Sequence, residues 1–219
     1  ELERNFSAWA DELRAIGEEA DSKKQKTRLN DFIADRFQEN MNGKAAELSD
    51  ALKRYSLDSM QRYRTRYLLA KLTQFVDMAY KGLKVAGSLG DYTVLEVEHI
   101  LPDTPDANLR ADFITKNPKA NYDEYKNKLG NLTLLEKPIN IVASNDFFIE
   151  KKKEYVKCKY YLTSSIAKLI DVGNNSSITR INSKLESFED WTAETIEKRQ
   201  SLLVNLTREV WKIAQLETN

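Results

Sequence analysis

The sequence predicts a mainly α-helical protein, in which helical lobes enclose a small finger of two antiparallel strands and a helix. Apolar residues recur at helical spacing along both ends of the chain. Glycine and proline are scarce, with seven and four residues in 219. One short run in the middle, Val94–Pro102, has the composition of a buried strand. These features divide the chain into a helical lobe at 1–88, a core at 89–158 and C-terminal helices at 159–219 that pack on the first lobe.

The overall composition narrows the class of protein. Lys and Arg number 34 and so do Asp and Glu, so no global field attracts nucleic acid and any basic surface must be local. The single cysteine, Cys158, excludes an internal disulfide and a zinc site built from cysteines, and it suits a reducing cytoplasm. No apolar stretch is long enough to span a membrane, and no signal peptide is visible. We therefore expect a cytoplasmic protein, and the start at Glu1 without methionine suggests a fragment or a processed product.

Four helices are predicted in the first lobe, and none carries a catalytic signature. Their aromatic stripes are typical of a packed core. The second helix should end at Asn42-Gly43, and the fourth, Ser56 to Leu83, is the longest. The residues expected to face inward are Leu2, Phe6, Trp9, Leu13 and Ile16; Leu29, Phe32, Ile33 and Phe37; Leu48, Ala51, Leu52 and Tyr55; and Met60, Tyr63, Tyr67, Leu68, Leu72, Phe75, Val76 and Ala79.

Two further helices are predicted near the C-terminus. The first covers Tyr160 to Ile170, and a polar loop from Asp171 to Ser177 follows it. Thr192 has the residue type of an N-cap and precedes the final helix. The apolar residues of that helix are Ile196, Leu203, Leu206, Val210 and Ile213.

The predicted strand Val94–Pro102 carries His99, the only histidine in the chain. Pro102 has no N–H group to donate to a neighbouring strand, so the strand should end near it, with His99 at that end. Side chains at a strand end can depart from strict alternation, and we expect Glu98 and His99 to face one site together. A histidine beside a carboxylate in that position suits a general base next to a metal ligand.

The strand is followed by Pro102 to Lys128, which is rich in Asp, Asn and Pro and predicts a long irregular connection of functional importance. A glycine turn and a second strand come next, from Leu129 to Glu136, and should pair antiparallel with the first strand. Pro138 suits a first helical turn, and helical spacing continues through Lys157.

Three short motifs, taken in chain order, resemble those of a known protein family. Glu98-His99-Ile100-Leu101-Pro102 is followed by Asn131-Leu132-Thr133-Leu134-Leu135 and then by Asn140 on the helix. Strand, loop, strand and helix with these residues resemble the ββα-metal finger of HNH, or His-Me finger, nucleases. Most of the chain is similar to the C-terminal nuclease domain of GmrSD-type modification-dependent restriction enzymes, which include a phosphorothioation-dependent anti-phage type. Two departures are the absence of zinc-knuckle cysteines and a glutamate, Glu98, where aspartate is frequent.

Phosphodiester hydrolysis requires a base that removes a proton from water and a positive charge that stabilises the scissile phosphate. Neutral imidazole suits the first task, so the hypothesis assigns His99 as general base. A Mg²⁺ or Mn²⁺ ion would take oxygen ligands from Glu98 and Asn140 and keep several waters. Asn131 would complete the catalytic set by orienting the His99 loop. Asn145 is a second-rank candidate for metal or substrate.

Lysines on the finger helix allow two interpretations. Lys151 and Lys152, together with Lys153, Lys157 and Lys159, could bind the DNA backbone beside the site. Alternatively, they form a solvated helix face that is paired with Glu150 and Glu154. The sequence does not decide between these alternatives.

The resemblance implies a metal-dependent endonuclease, expected to nick DNA, from a bacterial anti-phage restriction system. Its implied partners are modified or phage duplex DNA and an N-terminal ParB-like nucleotide-hydrolysing sensor domain outside this chain. A homodimer stays open, because one active site per chain nicks as a monomer and cuts both strands as a dimer. Two other functions stay open as well: a non-catalytic DNA-binding or assembly module of the same fold, and an HNH ribonuclease.

Overall fold

The computed structural model describes residues 2–59, 61–171, 173 and 176–213, and it is mainly helical. The side chain of Leu2, and Met60 as a whole, lie outside the described part. The helices are α1 Leu2–Gly17, α2 Ser22–Phe32, α3 Glu39–Gly43, α4 Ala45–Lys53, α5 Arg62–Lys81, α6 Gly90–Thr93, α7 Ala107–Lys116, α8 Tyr122–Lys126, α9 Lys137–Ala143, α10 Phe148–Tyr155, α11 Tyr161–Ala167, α12 Ser176–Asn182 and α13 Ala193–Val210. The strands are β1 Glu96–His99 and β2 Leu132–Leu135.

The chain divides into two compact units. Of the described residues, unit 1 contains those at 2–48 and 212–213, and unit 2 contains those between 49 and 211. The predicted segment boundaries at 88 and 158 both fall inside unit 2. No helix in the described part of the chain has the length and apolar character needed to cross a membrane.

Unit 1 is built on α1, α2 and α3, with a π-helical stretch at Ile33–Gln38 between the last two. Asp21 caps α2 by accepting hydrogen bonds from the backbone N–H groups of the first turn. The predicted stop at Gly43 is confirmed, because α3 ends there. Trp9 packs against Phe6 and Phe37, with ring centroids 5.6 and 4.9 Å apart. The predicted aromatic stripe therefore forms one cluster, although it stays partly exposed to solvent.

Helix α5 is the central helix of unit 2, and it begins at Arg62 rather than at Ser56 as predicted. Its buried face includes Leu68, Leu69, Leu72 and Val76, and α11, α12 and α13 pack against it. The packing of α13 on α5 agrees with the prediction that the final helix returns to the first helical segment. A left-handed residue, Gly82 (φ 64°), ends the helix.

Two tyrosines near the start of α5 contradict the predicted core. Tyr63 and Tyr67 are 65% and 45% exposed, respectively. The buried face of the helix at this end runs through Thr65, Leu68 and Leu69. Since Tyr63 and Tyr67 lie one turn apart on a neighbouring face, both rings reach solvent.

The predicted antiparallel pair of strands is confirmed, and with it the small strand-and-helix finger in a mainly helical fold. Strands β1 and β2 pair with Glu96 opposite Leu135 and His99 opposite Leu132. Strand β1 is shorter than predicted, because Val94 follows the short helix α6 and is 75% exposed. His99 is therefore the last residue of its strand.

The segment between the strands is not irregular, and this prediction is wrong. It contains α7 and α8, whose buried residues include Phe113 and Tyr122. Asp106 caps α7 by accepting from the backbone N–H of Leu109, and Asn121 caps α8 in the same way. The polar residues that suggest a loop are in fact helix caps, for which the same residue types are favoured.

The predicted helix after β2 is divided in two. Pro138 lies in the first turn of α9, as predicted. Ser144 has a positive φ of 47° and separates α9 from α10. Helix α9 packs against β1, and α10 packs against α9 and α11. Thr192 caps α13, which confirms the predicted start of the final helix.

Candidate active site at the end of strand β1

His99 lies at the edge of a cleft between β1 and the start of α5. The cleft has a volume of about 640 Å³. It opens beside the loop that follows β1, so the end of the strand presents the imidazole to it. The residues that line it are Leu57, Arg62, Tyr63, Thr65, Arg66, Tyr67, Thr93, Glu96, Val97, His99 and Asp103.

The His99 imidazole is half-buried, and its environment favours the neutral form. Nε2 is buried and has no hydrogen-bond partner among the described residues. Burial lowers the pKa of His99 from its ordinary value, and the positive charges of Lys151, Lys126 and Arg62 act in the same direction. A buried polar atom without a partner is unusual in a folded protein and is typical of catalytic and ligand-binding groups.

Asp103 provides the opposing charge in the cleft. Its carboxylate raises the pKa of His99 and so works against the effect of burial. Lys126 donates to Asp103, with Nζ 2.9 Å from Oδ1, and this hydrogen bond lowers the pKa of the Asp103 carboxyl. The Asp103 carboxylate is therefore already paired with Lys126, and the net effect of its surroundings still lowers the pKa of His99.

Asn131 fixes the segment that follows His99. Its Oδ1 accepts hydrogen bonds from the Leu101 N–H (2.7 Å) and from Trp191 Nε1 (2.8 Å). Its Nδ2 donates to the carbonyls of Leu101 (2.9 Å) and Lys126 (2.8 Å). These four bonds use the full capacity of a side-chain amide. Asn131 is fully buried and contacts the loop rather than the cleft, so it acts by positioning and has no group left for substrate.

Helix α13 holds the turn that contains Asn131. Arg199 donates from one nitrogen to the carbonyls of Gly130 and Leu132, both at 2.7 Å. Gln200 accepts from the Gly130 N–H at 3.0 Å. A Cβ at Gly130 would lie 2.0 Å from the carbonyl oxygen of Ile196, so only glycine permits this approach.

Glu98 faces away from the cleft, contrary to the prediction that it shares one site with His99. Its Oε1 accepts from Lys151 Nζ at 2.7 Å and from the Tyr155 hydroxyl at 2.8 Å, both on α10. Neighbouring side chains on a strand point to opposite faces, and this alternation holds through His99. Glu98 is therefore part of the interface between β1 and α10.

The prediction that Lys151 binds DNA is contradicted by its burial. The residue is 1% exposed, and its Nζ also donates to the His99 carbonyl at 2.7 Å. Burial lowers the pKa of Lys151, and the Glu98 carboxylate opposes that effect. A buried ammonium is tolerated because both of its acceptors are supplied by β1. Lys151 thus ties together the two residues at the end of the strand.

Three of the other predicted lysines are paired, whereas Lys159 is exposed and lies over the Tyr160 ring. Lys152 lies 3.1 Å from Glu189 and is largely covered. Lys153 pairs with Glu150 and Lys157 pairs with Glu154, at 2.5 and 2.6 Å. The alternative of a helix face with internal ion pairs is confirmed for these last two residues.

Asn140 and Asn145 lie on the side of the finger next to β1. Asn140 is on α9, and its Oδ1 is buried without a hydrogen-bond partner among the described residues. Asn145 is exposed, and its Nδ2 donates to Thr104 Oγ1 at 2.8 Å. The first is an acceptor without a ligand, whereas the second joins α9 and α10 to the loop after His99.

This arrangement can be compared with known proteins. A family model described as the C-terminal domain of GmrSD restriction endonucleases matches residues 43–206. The chain belongs to this family. Neither the curated proteins nor the solved structures that were searched include a match. The matched region covers nearly all of unit 2, including β1, β2 and the cleft, so the GmrSD C-terminal domain of this chain is a restriction-endonuclease domain.

The donor atoms of this GmrSD domain fit some metals and not others. The described residues contain no group of three or more His, Cys, Asp or Glu side chains that could hold an ion. A zinc site, which needs three or four such ligands, does not fit this donor set. Mg²⁺ takes one or two protein oxygens and keeps its waters, and the unpartnered Oδ1 of Asn140 is an oxygen of this kind.

The sequence reasoning missed several residues of the cleft in this GmrSD domain. They are Arg62, Tyr63, Arg66 and Tyr67 on α5 and Asp103 in the loop after β1. The signal for the α5 residues was the alternation Arg-Tyr-Arg-Thr-Arg-Tyr at 62–67, which is unusual for a buried face. No local signal marks Asp103, because its role depends on Lys126 and on the position of His99.

Proposed function

We propose that this domain hydrolyses phosphodiester bonds in DNA at the His99 cleft, with His99 as the general base. The observation that carries the proposal is the unpartnered, buried Nε2 at the end of β1, in a domain of a restriction-endonuclease family. A buried nitrogen without a partner is available to accept a proton from a bound water. The lowered pKa of His99 supports this role, because the neutral imidazole is the form that accepts the proton.

The surrounding residues hold the base in place. Lys151 binds the His99 carbonyl, and Asn131 binds the N–H and carbonyl of Leu101. The backbone is therefore fixed at His99 itself and two residues after it. A base held in this way loses little freedom when the substrate arrives, which is the basis of catalysis by orientation.

A divalent ion, Mg²⁺ or Mn²⁺, would be held by Asn140 Oδ1, with waters completing its coordination. Glu98, which turns away from the cleft and pairs with Lys151, is not one of its ligands. When bound, such an ion supplies positive charge to the scissile phosphate and the leaving oxygen. Helix α9, which carries Asn140, packs directly against β1, which carries His99.

We infer that one chain makes one nick, because the sequence contains a single histidine and hence one such base. The restriction-endonuclease family supports DNA as the substrate. We further propose that this DNA is modified or of phage origin, and that an N-terminal ParB-like sensor domain is the regulator. An association of two chains would convert paired nicks into a double-strand break. We propose that the protein acts in the cytoplasm, in defence against phage.

Relaxation of supercoiled plasmid tests the proposal. Wild-type protein and the His99→Ala and Asp103→Asn variants are purified in parallel and incubated with Mg²⁺, Mn²⁺ or EDTA, with an RNA competitor in a second series. We expect open-circular plasmid to form only when metal is present and to form equally well with the RNA competitor. The rate of its formation should fall by about 10²–10⁴-fold in His99→Ala. Equal cleavage by wild type and His99→Ala would show that another residue is the base. Preferential inhibition by RNA would favour the ribonuclease alternative.

A further inference from the structure

The start of α5 presents two pairs of side chains to the His99 cleft. Arg62 and Arg66 are one helical turn apart, and so are Tyr63 and Tyr67. All four line the cleft together with His99. We call these four residues the Arg–Tyr face.

The two tyrosines have large exposed rings with no role in the core. Tyr63 and Tyr67 are 65% and 45% exposed, although the rest of α5 is packed on several sides. Arg64 lies over the Tyr63 ring, 5.7 Å from its centroid, and donates to its hydroxyl at 3.1 Å. The Tyr63 ring is thus partly fixed by Arg64 before any ligand binds.

The two arginines are available to an anion. Arg62 forms no ion pair among the described residues. Arg66 approaches Glu96 only at 4.0 Å, with both side chains more than 40% exposed, and exposed pairs of this kind contribute little. The other carboxylate of the cleft, Asp103, is already bound to Lys126. A phosphate entering the cleft therefore finds two arginines without strong competitors.

From these contacts we propose that the Arg–Tyr face holds the DNA strand next to the phosphodiester bond that is hydrolysed at His99. Arg62 and Arg66 bind consecutive phosphates, and Tyr63 and Tyr67 stack on bases that are unpaired at that position. The proposal rests on the proposed nuclease function and specifies its substrate as a locally unpaired DNA strand. Arginines beside exposed aromatic rings are the usual means of binding single strands, because every base offers a face for stacking.

Binding without cleavage tests the proposal directly. In a His99→Ala background with EDTA, fluorescence anisotropy gives the affinity for a labelled 20-nucleotide single strand, its duplex and the RNA of the same sequence, across a salt series. We expect the single-stranded DNA to bind most tightly. Arg62→Ala/Arg66→Ala should lower its affinity at least tenfold and reduce the slope of log K against log salt by about 1.4, since each phosphate contact in a single strand contributes about 0.7.

The tyrosine variants separate stacking from charge. Tyr63→Ala and Tyr67→Ala should each lower the affinity about fivefold or more without changing the salt slope, whereas Tyr63→Phe and Tyr67→Phe should retain it. Arg180→Ala is the matched control, because Arg180 lines a different cavity near Ala79, about 25 Å further along α5. Arg62, Tyr63, Tyr67 and Arg180 are exposed and Arg66 is partly exposed, so thermal unfolding midpoints should change little relative to the His99→Ala protein.

Several results would overturn the proposal. These are an Arg62→Ala/Arg66→Ala protein that behaves like Arg180→Ala, a duplex or RNA that binds more tightly than single-stranded DNA, or no binding at low salt. The same substitutions are also made in a protein that retains His99, and plasmid cleavage by these variants is measured. This assay distinguishes failure of the Arg–Tyr proposal from failure of the nuclease assignment. If the wild type never cleaves DNA but its DNA binding depends on the Arg–Tyr face, the nuclease function is refuted and the proposed binding surface is supported.

Discussion

Replacing Lys151 with methionine should destabilise the protein strongly without weakening DNA binding directly. Methionine has nearly the same length but no charge, so the change leaves the Glu98 carboxylate buried without its cation. The side chains of Lys151 and Glu98 are 1% and 8% exposed, so water cannot replace the ammonium. Removing one member of a buried ion pair costs about 3–5 kcal/mol. Tyr155 still donates to Glu98 Oε1 in the variant, so we expect a value near the lower limit, about 3 kcal/mol.

Urea unfolding followed by circular dichroism measures this loss, which corresponds to a fall of about 6–12 °C in the melting temperature. Lys153→Met is the matched control on the same helix. Its side chain is 63% exposed, so the free energy of unfolding should change by less than about 0.5 kcal/mol. The double variant Lys151→Met/Glu98→Gln should be more stable than Lys151→Met alone, because glutamine removes the stranded charge and still accepts from Tyr155.

A loss below about 1 kcal/mol, or additive effects of the two substitutions, would refute the buried pair. The salt dependence of duplex binding tests separately whether Lys151 contacts DNA. A lysine that binds a phosphate changes the salt slope of duplex binding by about 0.9 when it is removed. The folded Lys151→Met protein should show the same salt slope as the wild type.

Two further predictions concern stability. Gly130→Ala should cost at least about 3 kcal/mol in urea unfolding, because the new Cβ would lie 2.0 Å from the Ile196 carbonyl oxygen. Gly43→Ala, where the Cβ meets open space, should change stability little, and equal effects of the two would refute the close approach of α13. Burial raises the pKa of Asp77 above its ordinary 3.8, so the native state binds more protons through this group than the unfolded state does. The stability that Asp77 contributes is complete below pH 3.8 and is lost as the pH rises through its folded pKa. The free energy of unfolding of the wild type, relative to that of Asp77→Asn, should therefore be higher at pH 4.5 than at pH 7.5. A difference between the two proteins that does not change with pH would refute the raised pKa.

The parts of the fold that the sequence predicted correctly depend on local signals. Pro138 marks a first helical turn, Thr192 caps a helix, and Gly43 ends one. The strand pair was also predictable, because its apolar runs are bounded by a proline and by a glycine turn. Each of these signals acts within a few residues and does not require knowledge of the tertiary structure.

The failed predictions involve residues whose environment is set by distant parts of the chain. Lys151 looks like a surface lysine until Glu98, 53 residues earlier, is placed beside it. Asp106 and Asn121 have the composition of a loop, and only the burial of Phe113 and Tyr122 shows that they cap helices. In the same way, Tyr63 and Tyr67 fit a helical stripe, and their exposure depends on which face α11 and α13 cover.

Hydrogen bonds from α13 hold the strand-and-helix finger of this domain. The single cysteine, Cys158, donates to Glu136 Oε2 at 2.9 Å and is buried. Arg199 and Gln200 of α13 bind the turn at Gly130, which precedes Asn131. Asn131 then fixes the backbone just beyond His99. The position of His99 at the end of β1 therefore depends on α13, whose Arg199 lies 69 residues after Gly130 in the sequence, and a domain truncated before α13 would lose this support even if both strands still formed.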